Sequence, residues 1–367
     1  MYDIGRSRRA SKAFSFDEIA IVPSRRTRGI EEVNLAWRID AIRLDFPIVA
    51  APMDSVMSPA TAIAMGQLGG LGVLNLEGLW TRYTDPEPIF DELAAIDDQG
   101  TATKRMQELY AAPIQPELIE SRMAEIRASG VPVAGSLSPQ NTREFADAVV
   151  KAAPDFFVIR GTTVSAEHVS KASDPLDLKT FIRTLDVPVI VGGCATYQTA
   201  LHLMRTGAAG VLVGFGGGAR HANRDVLGIE VPMASAVADV AEARRDYLDE
   251  SGGRYVHVIA DGAVGRSGDI AKAIACGADA VMVGAPLARA VEAPGKGYHW
   301  GAEAWHASLP RGERVKFETI GSLDEIMNGP SVTPDGSMNL VGALRRAMAS
   351  TGYTDIKEFQ RIELVII

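Results

Sequence analysis

The sequence predicts an α/β fold, a single (β/α)8 TIM barrel spanning residues 1–367, on three observations. Eight short apolar runs recur along the chain, at 46–51, 70–74, 131–135, 156–160, 187–192, 209–214, 255–260 and 279–284. Most are followed by a segment with helical spacing. Two of the strand–helix units also repeat each other: 203–214 and 274–284 each carry a glycine helix stop, a buried strand and a glycine at the strand's end. An internal repeat of this kind favours a closed barrel over an open sheet.

The apolar runs are continuous in Val, Ile, Ala and Phe rather than alternating with polar residues. Strands covered on both faces need that composition, and parallel strands under a helical layer are of this type. Ser58 followed by Pro59 reads as an N-cap with proline in the first turn. The segments 141–153, 176–185, 196–206 and 269–276 carry apolar residues at helical spacing, and the last two are stopped by Gly-Ala.

One connection is longer than a barrel requires. Residues 76–130 hold three helical patterns (87–96, 103–112 and 116–128) and form an insertion between strands two and three. A second long stretch, 294–321, follows strand eight, carries His299, Trp300, Trp305, His306 and Arg311, and is a candidate flap or a packed surface excursion.

Composition narrows the function classes. The 367 residues exceed a bare barrel of roughly 250. Apolar residues make up 47% and charged residues 23%, the balance of a folded globular chain. The net charge of −9 gives no footprint for nucleic acid, and the basic run Arg6, Arg8, Arg9, Lys12 is expected to be a solvated arm. Two cysteines, Cys194 and Cys276, suit a reducing compartment. No signal peptide and no apolar run of membrane-spanning length is visible, so a cytoplasmic location is expected. Metal-ligand spacing, a nucleophile elbow and a Walker loop are absent, and no metal is expected.

Barrels place their sites at the C-terminal ends of the strands, with phosphate commonly beside strands seven and eight. Here those ends read Ile259-Ala-Asp-Gly-Ala-Val264 and Val283-Gly-Ala-Pro286. Gly262 and Gly284 allow close backbone approach to an anion, and Ser267-Gly-Asp269 opens a helix behind them. Asp261 offers only acceptors, which suits the two hydroxyls of a ribose; the bland reading is a turn cap. Strand six ends in Gly214-Phe-Gly-Gly-Gly-Ala-Arg-His-Ala-Asn-Arg224, where Gly216, Gly217 and Gly218 form a loop able to cradle an anion or a monovalent cation. Met53, after strand one, can pack on a flat ligand or simply fill the core.

These residues resemble the IMP dehydrogenase/GMP reductase family, and in particular its short IMP dehydrogenase-related members without a tandem CBS module. The resemblance covers nearly the whole chain. It rests on Ser15-Phe-Asp-Glu-Ile-Ala-Ile-Val-Pro23, Ala51-Pro-Met-Asp-Ser-Val56, Gly214-Phe-Gly-Gly-Gly218, Ile259-Ala-Asp-Gly262, Val283-Gly284, Glu292-Ala-Pro-Gly295 and Asn339-Leu-Val-Gly-Ala-Leu-Arg345. It implies a homotetramer in purine metabolism and GMP biosynthesis that binds a purine nucleoside monophosphate. The implied reaction is NAD-dependent oxidation of IMP to XMP through a cysteine adduct. Leu76 onward occupies the place of the CBS module and is too short for one.

The same resemblance exposes departures. His221 falls at the nucleophilic cysteine's position, and Asn223 at a catalytic threonine's. Ala219 and Ala285 replace serines that help hold phosphate, and Ala263 replaces a phosphate-contacting glycine. Arg160, with Gly192 and Gly193 beside it on the cofactor side, stands where an aspartate lies near the nicotinamide. The expectation is an oxidoreductase with altered or lost chemistry. A non-catalytic nucleotide sensor or a subunit of a mixed assembly is the alternative. Arg160, Arg220 and Arg224 keep a third class open, a different barrel activity on an anionic substrate.

Overall fold

The computed structural model describes residues 2–166, 176–216, 223–306 and 314–367. Eight parallel strands close into a barrel in sequential order. In chain order they are strand one (Ile48–Ala50), two (Leu71–Asn75), three (Ala134–Leu137), four (Phe156–Arg160), five (Val189–Cys194), six (Gly210–Val213), seven (His257–Asp261) and eight (Ala280–Val283). Each overlaps the apolar run that predicted it. Strand eight returns to strand one through Val281↔Ile48, Met282↔Val49 and Val283↔Ala50, so no edge is left open.

Burial on both faces explains the composition of the strands. Phe156, Phe157, Val158 and Ile159 alternate between barrel interior and helix layer, and none is more than 1% exposed. Removing each from water contributes roughly 1.5–3 kcal/mol.

The outer layer comprises α1 (Pro59–Gln67), α5 (Pro139–Lys151), α6 (Leu178–Arg183), α7 (Tyr197–Arg205), α8 (Met233–Glu250) and α9 (Ser267–Ala275), together with the helices of the insertion. Ser58 caps α1 by accepting from the Thr61 amide at 3.0 Å, as the Ser-Pro pair predicts. The insertion between strands two and three holds α2 (Glu87–Ala95), α3 (Gln99–Tyr110) and α4 (Pro116–Ala128). The 18-residue helix α8 went unpredicted, because its alanines and mixed charges weaken the apolar stripe.

Helices α10 (Leu323–Asn328), α11 (Leu340–Ser350) and α12 (Ile356–Phe359) lead to a C-terminal strand, Leu364–Ile366. That strand pairs antiparallel with Ile19–Ile21, fastening the two ends of the chain together. At the barrel floor the buried Asp279 carboxylate collects Arg244 Nη1 at 2.8 Å, Tyr255 Oη at 2.7 Å, the Val258 amide at 2.8 Å and Lys357 of α12. No helix among the described residues is long and apolar enough to cross a membrane.

Candidate functional site

A cavity of about 460 Å3 opens at the C-terminal ends of the strands. Strand register decides who meets there. Arg160 ends strand four, beside Gly192 of strand five, and Asp261 ends strand seven. The two project from opposite sides of the mouth and meet over it. Arg160 Nε donates to Asp261 Oδ2 at 2.8 Å, and Nη2 donates to Oδ1 at 3.3 Å. The carboxylate side chain is 6% exposed and the guanidinium side chain 22%. Gly216, after strand six, adopts φ +56°, and a Cβ there would collide with the Arg160 guanidinium. The acceptor expected to face a ribose is therefore already engaged.

Several expected residues share this cavity: Met53, Gly216, Asn223, Gly262, Ala263, Gly284 and Ala285 all line it. Asn223 is nearly buried, and its Nδ2 donates to the Phe215 carbonyl at 3.3 Å. Ala263 sits at φ +53°, a conformation that glycine adopts without strain. The backbone N–H groups of Gly262, Ala263, Gly284 and Ala285 make no hydrogen bond among the described residues. They leave unpaired donors at the ends of strands seven and eight.

The helix behind them is arranged differently from expectation. Helix α9 does begin at Ser267, but the amides of Gly265 and Arg266 before it donate to the Asp269 side chain at 3.1 and 3.0 Å. A carboxylate from the chain itself occupies the positive end. Burial raises the Asp269 pKa, and those two amides oppose the rise.

Gly192 and Gly193 do not line the cavity. They pack against strand six, where a Cβ would meet Leu212 and Gly214. His221, Gly217, Gly218, Ala219 and Arg220 lie outside the described residues. Among the described residues no group of three His, Cys, Asp or Glu could hold a metal ion.

Neither cysteine is available as a nucleophile. The Cys194 thiol is buried at the end of strand five and donates to the Leu212 carbonyl at 3.4 Å, away from the cavity. Burial pushes Cys194 and Cys276 up to about 12, where the reactive thiolate is a negligible fraction at neutral pH.

The described part of the candidate flap packs against the insertion and the strand-one motif. Tyr298–His299 pairs with Val315–Lys316. Trp300 is buried and its Nε1 donates to Tyr110 Oη at 3.0 Å. Tyr110 in turn donates to Asp54 Oδ2 at 2.5 Å and stacks on Trp305 with ring centroids 4.3 Å apart. Asp54 also accepts from Asn75 and the Leu79 amide. Burial raises the Asp54 pKa against those donors. The insertion helix α3 and the strand-one motif thus hold the excursion in place. The same excursion brings Glu303 into the electrostatic field of Arg160.

His299 is the site residue that sequence reasoning missed as a participant. It lines the cavity while almost wholly buried, with Nδ1 3.0 Å from Ser55 Oγ. Burial lowers its pKa to about 4, so the imidazole is neutral at pH 7. It sits in a stretch without clear periodicity, and no local pattern marks it.

Residues 13–309 match the model of the IMP dehydrogenase/GMP reductase domain. The chain belongs to the IMP dehydrogenase/GMP reductase family. It is 51% identical to an uncharacterized oxidoreductase of Mycolicibacterium smegmatis and 52% identical to one of Mycobacterium tuberculosis, in both cases over the full length of both chains. It is 26% identical to the inosine-5′-monophosphate dehydrogenase of Methanocaldococcus jannaschii, over 98% of this chain and 93% of that one. The crystal structure of an IMP dehydrogenase/GMP reductase-like protein from Corynebacterium glutamicum superposes with a TM-score of 0.95 at 51% identity, over 100% of this chain and 97% of that one. This IMP dehydrogenase/GMP reductase family member carries the family's domain on a (β/α)8 barrel.

Proposed function

We propose that this protein binds a purine nucleoside monophosphate in the strand-end cavity and that the family's cysteine-adduct chemistry is altered or lost in it. The observation that carries the reading is the pairing of two recognition elements in one cavity. The Asp261 carboxylate supplies acceptors that a ribose would share with or take from Arg160, and four backbone N–H groups at the ends of strands seven and eight, unpaired among the described residues, offer donors for a phosphate. Met53 supplies an apolar wall for the base.

The residues on the cofactor side do not fit an oxidised nicotinamide. That ring is cationic, and strand four ends in Arg160, whose guanidinium is paired with Asp261, in place of the aspartate that the family resemblance implies. A cysteine adduct has no candidate thiolate, and His221 holds the sequence position of the nucleophile. Family resemblance and the exposed apolar ends, Tyr2, Ile4 and 365–367, support assembly as a cytoplasmic homotetramer.

The test is thermal stabilisation and calorimetry with IMP, XMP, GMP and AMP, followed by turnover with NAD or NADPH read at 340 nm. Binding of one purine monophosphate with little or no nicotinamide turnover is expected. Failure of all four nucleotides to bind overturns the proposal, and robust XMP formation from IMP and NAD overturns the loss of chemistry.

A further inference from the structure

We propose that His299 reads the phosphate of the ligand through Nε2, replacing the side-chain contacts that alanines at 219 and 285 cannot make. This rests on the nucleotide-binding reading above.

The geometry starts from Gly284, the residue after strand eight. A Cβ built there would lie 3.5 Å from His299 Cε1 and 3.1 Å from Met53 Sδ, so the imidazole edge borders the strand-eight exit. On one side of that edge, Nδ1 is taken by Ser55 Oγ at 3.0 Å. On the other, Nε2 makes no hydrogen bond among the described residues, and it is not among the sealed, unpartnered polar atoms of the interior. It therefore opens on the cavity that the residue lines.

Ser55 makes the imidazole adaptable. Its hydroxyl accepts from the Trp300 amide at 3.2 Å and is also 3.2 Å from the Trp300 carbonyl. When the hydroxyl proton points to that carbonyl, Nδ1 carries the ring proton and Nε2 is an acceptor. When it turns to Nδ1, the ring proton moves to Nε2, which becomes a donor. An anion in the cavity selects the second arrangement.

The neighbourhood offers an anion several donors. The amides of Gly262, Ala263, Gly284 and Ala285, at this end of the cavity, have no partner among the described residues. The N-terminus of α9 cannot serve, because Asp269 already holds the amides before it. A phosphate over strands seven and eight would satisfy the backbone donors and would find in His299 a side-chain donor aimed at it from a buried, pre-oriented position.

The experiment compares IMP with inosine, by calorimetry, in wild type, His299→Ala, His299→Gln and Ser55→Ala. The readout is the ratio of the two affinities, because inosine shares everything but the phosphate and reports an intact fold. Wild type is expected to bind IMP more tightly than inosine. His299→Ala should cut that ratio about tenfold or more, the usual effect of losing a hydrogen bond to a charged group. His299→Gln, which keeps an N–H near the Nε2 position, should retain most of it, and Ser55→Ala should lose part. An unchanged ratio in His299→Ala overturns the proposal, as does equal weakening of both ligands. Wild type that binds inosine as tightly as IMP overturns this proposal while leaving purine binding standing. Wild type that binds neither removes the nucleotide reading and this proposal with it.

Discussion

Arg160 and Asp261 form a two-point ion pair across the mouth of the barrel, at 2.8 and 3.3 Å, from strands that are not neighbours. The pair gives each residue a distinct mutational signature. If Asp261 takes a ribose, the ligand competes with Arg160 for it. Asp261→Ala should weaken ribonucleotide binding tenfold or more, whereas Arg160→Ala should tighten it. Arg160→Ala should also lower stability by roughly 1.5–3 kcal/mol, because it strips charged hydrogen bonds from a nearly buried carboxylate. Calorimetry and urea unfolding read the two effects separately. Weaker binding in Arg160→Ala would mean that the guanidinium contacts the ligand itself.

The thiols should be inert in the native state. With both cysteines pushed up to about 12 by burial, thiol reagents at pH 8 should label the native protein far more slowly than a free thiol. Both cysteines should react once urea unfolds the chain. Cys194→Ser should keep nucleotide binding. Rapid native labelling at Cys194 that blocks ligand binding would restore a thiol to the site.

One buried histidine, His299, and one half-buried histidine, His257, make the fold sensitive to mild acid. Burial is the main cause that lowers His257 and His299 to about 4 from an ordinary value near 6.5. Each is neutral when folded, while the unfolded chain binds protons at its ordinary value. The stability they contribute is present above about pH 6.5 and is lost as pH falls toward 4, by on the order of 2 kcal/mol per histidine at pH 5. Urea midpoints measured from pH 7.5 to 5 should fall accordingly, and the fall should be smaller in His257→Gln. A flat profile contradicts this.

A second loss follows at lower pH. Burial tends to raise the Asp279 pKa, but Arg244 and Lys357 beside it hold it well below the usual carboxylate range. Its folded value lies below its unfolded one, so its contribution is fully present above about pH 4 and is lost gradually as pH falls from there toward the much lower folded value. Asp279→Asn should cost most stability at pH 7 and somewhat less at pH 3, as measured by chemical unfolding.

Tyr110→Phe should loosen the excursion after strand eight. The substitution removes the hydroxyl that donates to Asp54 and accepts from Trp300 Nε1. Leaving a buried indole N–H unpaired costs roughly 1–3 kcal/mol. A lower melting temperature and a shifted tryptophan emission are expected. A melting temperature equal to that of wild type would show that the network carries no net stability.

Much of the architecture is legible in the sequence. Strands buried on both faces must be continuously apolar, and the runs at 156–160 and 279–284 announce themselves for that reason. Glycines at 214, 262 and 284 mark strand ends, and the Ser58-Pro59 cap marks a helix start. The location of Asp261, Met53, Gly284 and Ala285 around one mouth followed from the barrel rule, since every strand's C-terminal end points the same way.

What the sequence by itself determined is the strand–helix repeat and the identity of the residues at the strand ends. What only the tertiary structure decided is which side chains satisfy one another. Arg160 and Asp261 are 101 positions apart, and His299 reaches Ser55 across 244. No local period encodes such pairs. Barrel closure sets which strand ends face each other, and a buried charge or imidazole then takes whatever partner lies within about 3 Å, because leaving it unpaired costs more than the pairing.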